Sequence, residues 1–209
     1  MVTVPHVAHM DDADVTDLEA YRKRLKAEGG PSLTLMAFLV KALTRVLADH
    51  RMLNASLDPQ KGEIVYKQYY NIGFAADTPQ GLMVPVIKNA DKLSTVGISD
   101  EIRRLANAAR ERSIDVKDLQ DGTFTVTNVG AIGGSYVIPT INYPECAILG
   151  MGRTQEKAVV RNGEIVARLM MPLCITYDHR VIDGADGARF MNQLVRYLSD
   201  PVSWLSEMV

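Results

Sequence analysis

Leu169-Met170-Met171-Pro172-Leu173-Cys174-Ile175-Thr176-Tyr177-Asp178-His179-Arg180-Val181-Ile182-Asp183-Gly184 joins two kinds of structure. Upstream, Ile165 to Tyr177 is mostly apolar toward its far end, the mark of a long strand lying centrally in a sheet. Downstream, Asp183 to Leu198 reads as a helix, and Pro201 stops it. Asp183 stands at the N-cap position, and Asp186 three residues later mimics a capping box. His179 therefore falls on a connection between a buried strand and a helix, where a scaffold presents a side chain rigidly into a cleft.

The chain around this junction alternates helical and extended patterns. Asn162-Gly163 is its strongest hairpin-turn signal, with Ala158–Val160 and Ala147–Met151 as short strands before it. Thr123 to Thr127 is β-branched and alternating, and it runs into Gly130, Gly133 and Gly134, where the backbone turns sharply or is closely approached. Ser94 offers an N-cap for a helix reaching about Arg112. Tyr70–Ala76 and Leu82–Ile87 read as strands on either side of Asp77-Thr78-Pro79-Gln80-Gly81, and Ala55–Asp58 with Ile64–Tyr66 as a hairpin. Leu33 to Asp49 is apolar almost all round and predicts a buried helix. Asp17 to Lys26 is an amphipathic helix ended by Gly29-Gly30-Pro31, and Val2 to Val15 is extended. Strands and helices mix without regular βαβ alternation, so the expected class is α+β: a mixed sheet with flanking helices. With no repeat, low-complexity tract or Pro/Gly/Ser linker, residues 1–209 are expected to form a single domain.

Composition narrows the functions. A chain 47% hydrophobic and 23% charged is an ordinary globular one, which excludes disordered and collagen-like classes. The 23 Lys+Arg against 25 Asp+Glu lack the basic excess of a nucleic-acid binder. The most apolar stretch, Leu33 to Leu47, is interrupted by Thr34, Lys41, Thr44 and Arg45 and is too short to span a membrane, and the amino terminus lacks a signal-peptide layout. Cys146 and Cys174 are too few for a disulfide framework and suit a reducing compartment.

Four histidines are available for chemistry. His6 and His9 point to opposite faces of an extended strand, and neither lies near a cysteine pair, so no metal site is expected. His50 follows a helix end, where the dipole favours a cation. His179 stands apart through its His-x-x-x-Asp-Gly setting, although a plain loop histidine beside a helix cap would look the same.

Further segments decide between those readings. They are the run from Tyr70 to Lys88, the run Thr123-Phe124-Thr125-Val126-Thr127-Asn128-Val129-Gly130 with Gly133-Gly134, and the run from Asn142 through Pro144-Glu145-Cys146 to Gly150. With Asp178 to Gly184 they resemble, in order and over almost the whole chain, the catalytic core of the dihydrolipoamide acyltransferases, the E2 components of 2-oxo acid dehydrogenase complexes. The resemblance implies the chloramphenicol-acetyltransferase-like, trimer-forming fold of coenzyme A-dependent acyltransferases. Family members carry lipoyl and peripheral-subunit-binding domains ahead of this core, and a short basic helix opens it. Neither the domains nor that helix has a counterpart in this sequence, so a trimmed core is expected.

The implied reaction exchanges an acyl group between dihydrolipoamide and coenzyme A. A thiol of pKa near ~8.5 is mostly protonated at neutral pH and needs a base. The resemblance makes His179 that base, and Thr127 the hydroxyl that stabilises the tetrahedral oxyanion. It gives Asp183 a charge pairing that holds the loop in addition to the cap, with Gly184 easing a tight turn. It places Arg22 near the nucleotide phosphates of coenzyme A, and Ile138 and Pro139 where pantetheine is bordered; Arg22 reads equally as a solvated helix residue. Ala185 after Gly184 and Arg153 after Gly150 form no clear carboxylate clamp for succinyl, so a neutral acyl group, acetyl or branched-chain, is expected. Two rivals remain: an O-acetyltransferase resembling chloramphenicol acetyltransferase, and a non-catalytic scaffold core.

The resemblance also implies partners. Trimers place the histidine and the hydroxyl of one active site on different subunits and assemble further into a cage. The lipoyl group arrives on a separate domain, and the E1 and E3 components join the complex, in the cytoplasm of a prokaryote or the mitochondrial matrix of a eukaryote. The apolar tail with Trp204, Leu205, Met208 and Val209 is expected to anchor one trimer to the next.

Overall fold

The computed structural model describes residues 4–130 and 132–202. The apolar tail beyond Val202 lies outside these residues. In chain order the elements are β1 (His6–Asp14), α1 (Thr16–Ala27), α2 (Leu35–Asp49), β2 (Ala55–Asp58), β3 (Glu63–Tyr66), β4 (Ile72–Phe74), β5 (Ala76–Thr78), β6 (Gly81–Met83), β7 (Val86–Ile87), α3 (Thr95–Arg110), β8 (Phe124–Asn128), β9 (Ala147–Met151), β10 (Gln155–Arg161), β11 (Glu164–Asp178) and α4 (Gly184–Ser199). A mixed sheet of order β1-β11-β9-β8-β4-β7, with β10 also on β11, carries the fold. β4, β8 and β9 run parallel and β11 antiparallel to them.

The apolar length of β11 explains its place. Its residues Met171–Asp178 are all buried, paired with β1 on one edge and β9 on the other. One face of the sheet, through Phe124, Val126, Leu149, Ile175 and Tyr177, enters the core with the helices. Helix α2 lies within that core with nine of its residues buried, as its nearly all-round apolar pattern requires. Ser94 and Asp183 cap α3 and α4 as the sequence reads, and Thr34 caps α2 as well, each accepting a backbone N–H at the helix start.

The structure departs from the sequence reading where proline intervenes. The expected strands Tyr70–Ala76 and Leu82–Ile87 each break in two: β4 and β7 join the main sheet, while β5 and β6 form a separate two-stranded ribbon. Pro85 has no N–H to continue a ladder, and at the break its carbonyl accepts from Phe74 while Ala75 turns to Val126. Helix α3 stops at Arg110, before Arg112 enters the left-handed region at φ 61°.

The glycine-rich segment packs against the sheet as its residues require. A Cβ on Gly130 would stand 2.6 Å from the Gly152 carbonyl oxygen, and one on Gly152 would overlap the Ser135 carbonyl. Gly152→Ala is therefore expected to cost about 1–3 kcal/mol by overpacking, read as a shift in denaturation midpoint. A change within about 0.5 kcal/mol would show that segment 134–139 yields freely.

Candidate active site

The connection after β11 is pinned by its backbone. Asp178 donates its N–H to the Cys146 carbonyl at 2.9 Å, and its own carbonyl accepts from Val181 and Ile182. Its buried carboxylate grips Arg180, accepting from Nη2 at 2.6 Å, from Nε at 3.0 Å and from the backbone N–H at 3.0 Å. Burial alone pushes this carboxyl up, but the Arg180 hydrogen bonds outweigh it and hold it below the usual range. His179 donates its N–H to Pro5 at 2.9 Å. Its ring is exposed, lies 6.3 Å from the Tyr177 ring and has no hydrogen-bond partner among the described residues. The backbone is thus fixed while the imidazole stays free to take a proton.

Asp183 caps α4, accepting from the Asp186 N–H at 2.8 Å. The expected charge pairing is not there within the described residues of this subunit, because neighbouring guanidiniums are taken: Arg180 by Asp178 and Arg189 by Asp186. Gly184 also needs no special backbone, since a Cβ there would meet nothing within 4 Å. The close approach comes at Gly187, where a Cβ would stand 2.6 Å from the Tyr177 ring.

At the far end of the sheet, past the carboxyl ends of β8 and β9, lies an open cleft of about 1080 Å³. Thr127, Asn128 and Arg22 line it together with Lys23, Arg110 and apolar side chains including Phe74 and Ile132. Arg22 is already occupied. Its Nε and Nη2 donate to the two Glu19 oxygens at 2.7 and 2.8 Å, and Nη1 donates to the Leu33 carbonyl. A phosphate there would compete with a bidentate carboxylate. Lys23, 3.8 Å from Glu19, and Arg110, which has no partner among the described residues, are the more available cations.

Ile138 and Pro139 do not line this cleft. Ile138 is 62% exposed, and Pro139 is buried on β9, with its Cδ 3.2 Å from the position of a Gly150 Cβ. Gly150 pairs with Thr127, so Pro139, together with Val137 whose Cγ1 stands 2.6 Å from that same Cβ position, covers the sheet face from which the Thr127 side chain projects.

The structure separates the two principal candidates. Thr127 pairs with Gly150 and Gly150 with Cys174, four residues before Asp178. At ~3.3 Å per residue and ~4.8 Å between strands, Thr127 lies ~13 Å along and ~10 Å across from the start of the His179 loop. No reacting carbonyl touches both within one subunit.

Sequence reasoning passed over several groups that shape these regions. The Asp178–Arg180 clamp was visible as opposite charges flanking a histidine. Lys157 donates to Asp12 at 2.6 Å and to the Tyr136 hydroxyl at 2.9 Å, bracing the segment that carries Ile138. Glu145 is 6% exposed, accepting from the Thr125 hydroxyl at 2.9 Å and from Asn142 Nδ2 at 3.2 Å. Burial pushes the Cys146 thiol up to about 12, which makes it inert. Among the described residues no three His, Cys, Asp or Glu side chains cluster as metal ligands, and no helix is long and apolar enough to cross a membrane.

The mixed sheet with flanking helices is the chloramphenicol-acetyltransferase-like fold. The solved chloramphenicol acetyltransferase superposes with a TM-score of 0.62 at 18% identity, a likeness of fold alone. The chain belongs to the family of 2-oxoacid dehydrogenases acyltransferase catalytic domains, whose profile matches residues 1–206. It is 48% identical over 208 residues to the dihydrolipoyllysine-residue acetyltransferase component of the pyruvate dehydrogenase complex of Bacillus subtilis, covering 98% of this chain and 47% of that protein. The chain thus spans about half the length of the curated relatives it matches. Among solved structures, the dihydrolipoamide acetyltransferase of Azotobacter vinelandii superposes with a TM-score of 0.93 at 41% identity, covering 97% of this chain and 84% of that one. The cubic core of a pyruvate dehydrogenase multienzyme complex also gives 0.93, at 40% identity and with the same coverage of each chain.

Proposed function

We propose that this chain is a single catalytic domain that transfers an acyl group, acetyl by preference, between dihydrolipoamide and coenzyme A within a 2-oxo acid dehydrogenase complex. The observation that carries the reading is the match over 98% of this chain to an acetyltransferase component, taken with the presence of His179 and Thr127 in the motifs that carry the resemblance. In the forward step the His179 imidazole accepts the proton of the coenzyme A thiol, and the sulfur attacks the thioester carbonyl of acetyl-dihydrolipoamide. The Thr127 hydroxyl donates to the oxyanion that forms. Collapse breaks the old C–S bond, and imidazolium returns the proton to the departing lipoyl sulfur, which leaves both thiol and thioester balanced. Cations at the cleft rim, Lys23 and Arg110 ahead of Arg22, face the phosphates. Asp183 serves the site by starting α4.

The ~13 Å by ~10 Å separation requires a second copy to complete each site, which supports the trimer. The cubic core named among the structural relatives supports assembly of trimers into a cage, served by lipoyl domains and the partner enzymes of the complex. The bacterial relatives favour the cytoplasm.

Initial rates with dihydrolipoamide as acceptor and acetyl-, isobutyryl- or succinyl-coenzyme A as donor test the reading. Acetyl-coenzyme A is expected to exceed succinyl-coenzyme A in kcat/KM by about tenfold or more, since Ala185 after Gly184 and Arg153 after Gly150 form no clear clamp for a second carboxylate. A succinyl preference would overturn the acyl assignment, and no transfer to dihydrolipoamide from any donor would overturn the function.

A further inference from the structure

Glu145 is a buried carboxyl that the reaction above does not use. It follows the Asn142-Tyr143-Pro144 turn and enters β9, where three parts of the molecule meet. Its Oε1 accepts from the Thr125 hydroxyl at 2.9 Å and from Asn142 Nδ2 at 3.2 Å, and Asn142 also reaches Thr125 Oγ1 at 3.4 Å. Oε2 is buried and has no hydrogen-bond partner. Space is reserved for this cluster. A Cβ on Gly73 would stand 3.0 Å from Thr125 Oγ1, and one on Gly122 would stand 2.9 Å from Glu145 Oε1. Within the described residues no cation pairs with Glu145. A cavity of about 30 Å³, room for one water, adjoins it and is shared with Cys146, Asp178 and Arg180.

The connections out of this cluster run to both halves of the chemistry. Thr125 lies two residues before Thr127 on β8, on the same face of the sheet. The residue after Glu145, Cys146, accepts the Asp178 N–H at 2.9 Å, and Asp178 precedes His179. Asn142 closes the segment that carries Ile138 and Pro139. We propose that Glu145 is a positioning residue that sets Thr127 and His179 in register through a single joint, although within one subunit the two groups serve different active sites. Burial pushes its carboxyl up to about 7, so it is protonated at acid pH and only half ionised near neutrality, where it serves as a hydrogen-bonding group as much as a charge. An uncompensated buried carboxyl is costly, and simple packing would be served better by an apolar residue. The hydrogen bonding with Thr125 and Asn142 gives the carboxyl a use at this place.

The inference rests on the acyltransferase reading. Its test uses the full chain with Glu145→Gln, Glu145→Ala and Thr125→Val, each sized by mass photometry and assayed per assembled particle for acetyl transfer from acetyl-coenzyme A to dihydrolipoamide. Glu145→Gln keeps a neutral acceptor toward Thr125 and is expected to hold kcat within about threefold. Glu145→Ala is expected to lower kcat by about 10- to 100-fold, the scale of a small misplacement of reacting groups, with both KM values within about threefold. Thr125→Val is expected to fall between them. If Glu145→Ala does not fold, Thr125→Val against Glu145→Gln decides. Wild-type kcat in Glu145→Ala or in Thr125→Val would overturn the proposal. So would a loss confined to KM, or Glu145→Gln as impaired as Glu145→Ala. An active wild type with unmoved variants rejects the positioning role alone, whereas a wild type unable to acetylate dihydrolipoamide rejects the reading beneath it.

Discussion

His179→Ala is expected to lower kcat for acetyl transfer by about 10³-fold or more while leaving the particle assembled. The two halves of that expectation have separate origins. The imidazole is exposed and bonded to no side chain among the described residues, so its removal takes away little packing. The loop is held through backbone and Asp178 instead: His179 N–H to Pro5, Asp178 N–H to Cys146, and the Asp178 carboxylate to Arg180. None of these contacts involves the ring. What is lost is the acceptor for a thiol proton, without which the attacking sulfur remains the weak thiol form at neutral pH. Because base catalysis acts on the chemical step, KM for acetyl-coenzyme A is expected to change little. Turnover within about tenfold of wild type would show that another group takes the proton.

The features legible in the sequence are those written locally. The apolar run of β11, the Asp183 cap and the Pro201 stop lie within one short stretch, so the strand-to-helix junction that carries His179 is readable from neighbours alone. The pairing of Arg22 with Glu19 is equally local, an i,i+3 spacing on one helix, and it bears directly on which cation meets a phosphate. What the sequence leaves dark is set by register between distant strands. That Thr127 and His179 stand at opposite ends of one sheet follows only once β8 is known to run with β9 and against β11. The break of the Tyr70–Ala76 strand depends on Pro85 meeting Phe74 across the sheet. The burial of Glu145 depends on Gly73 and Gly122 making room for it and for Thr125. A single acidic residue between proline and cysteine has no periodicity to announce it.

Thr127→Ala is expected to lower kcat by about 10²-fold, the usual cost of one oxyanion donor, with Thr127→Ser close to wild type. Thr127 is half-buried at the end of β8, between the cleft and the face covered by Pro139, so its hydroxyl and its methyl have different surroundings to lose. An equal loss in the Ser and Ala variants would assign the effect to the missing methyl and to packing. The sheet register carries the argument further. If the hydroxyl and the imidazole of one site come from two copies of the chain, a Thr127→Ala subunit still owns a sound His179, and a His179→Ala subunit a sound Thr127. Mixed at equal amounts after unfolding and reassembled, the two poorly active variants place a sound hydroxyl opposite a sound imidazole at half times half of the interfaces. Recovered activity is then expected to approach about a quarter of wild type. Were both groups drawn from one subunit, every site would keep one defect whatever the mixing, and mixed particles confirmed by mass would stay as inactive as their parents.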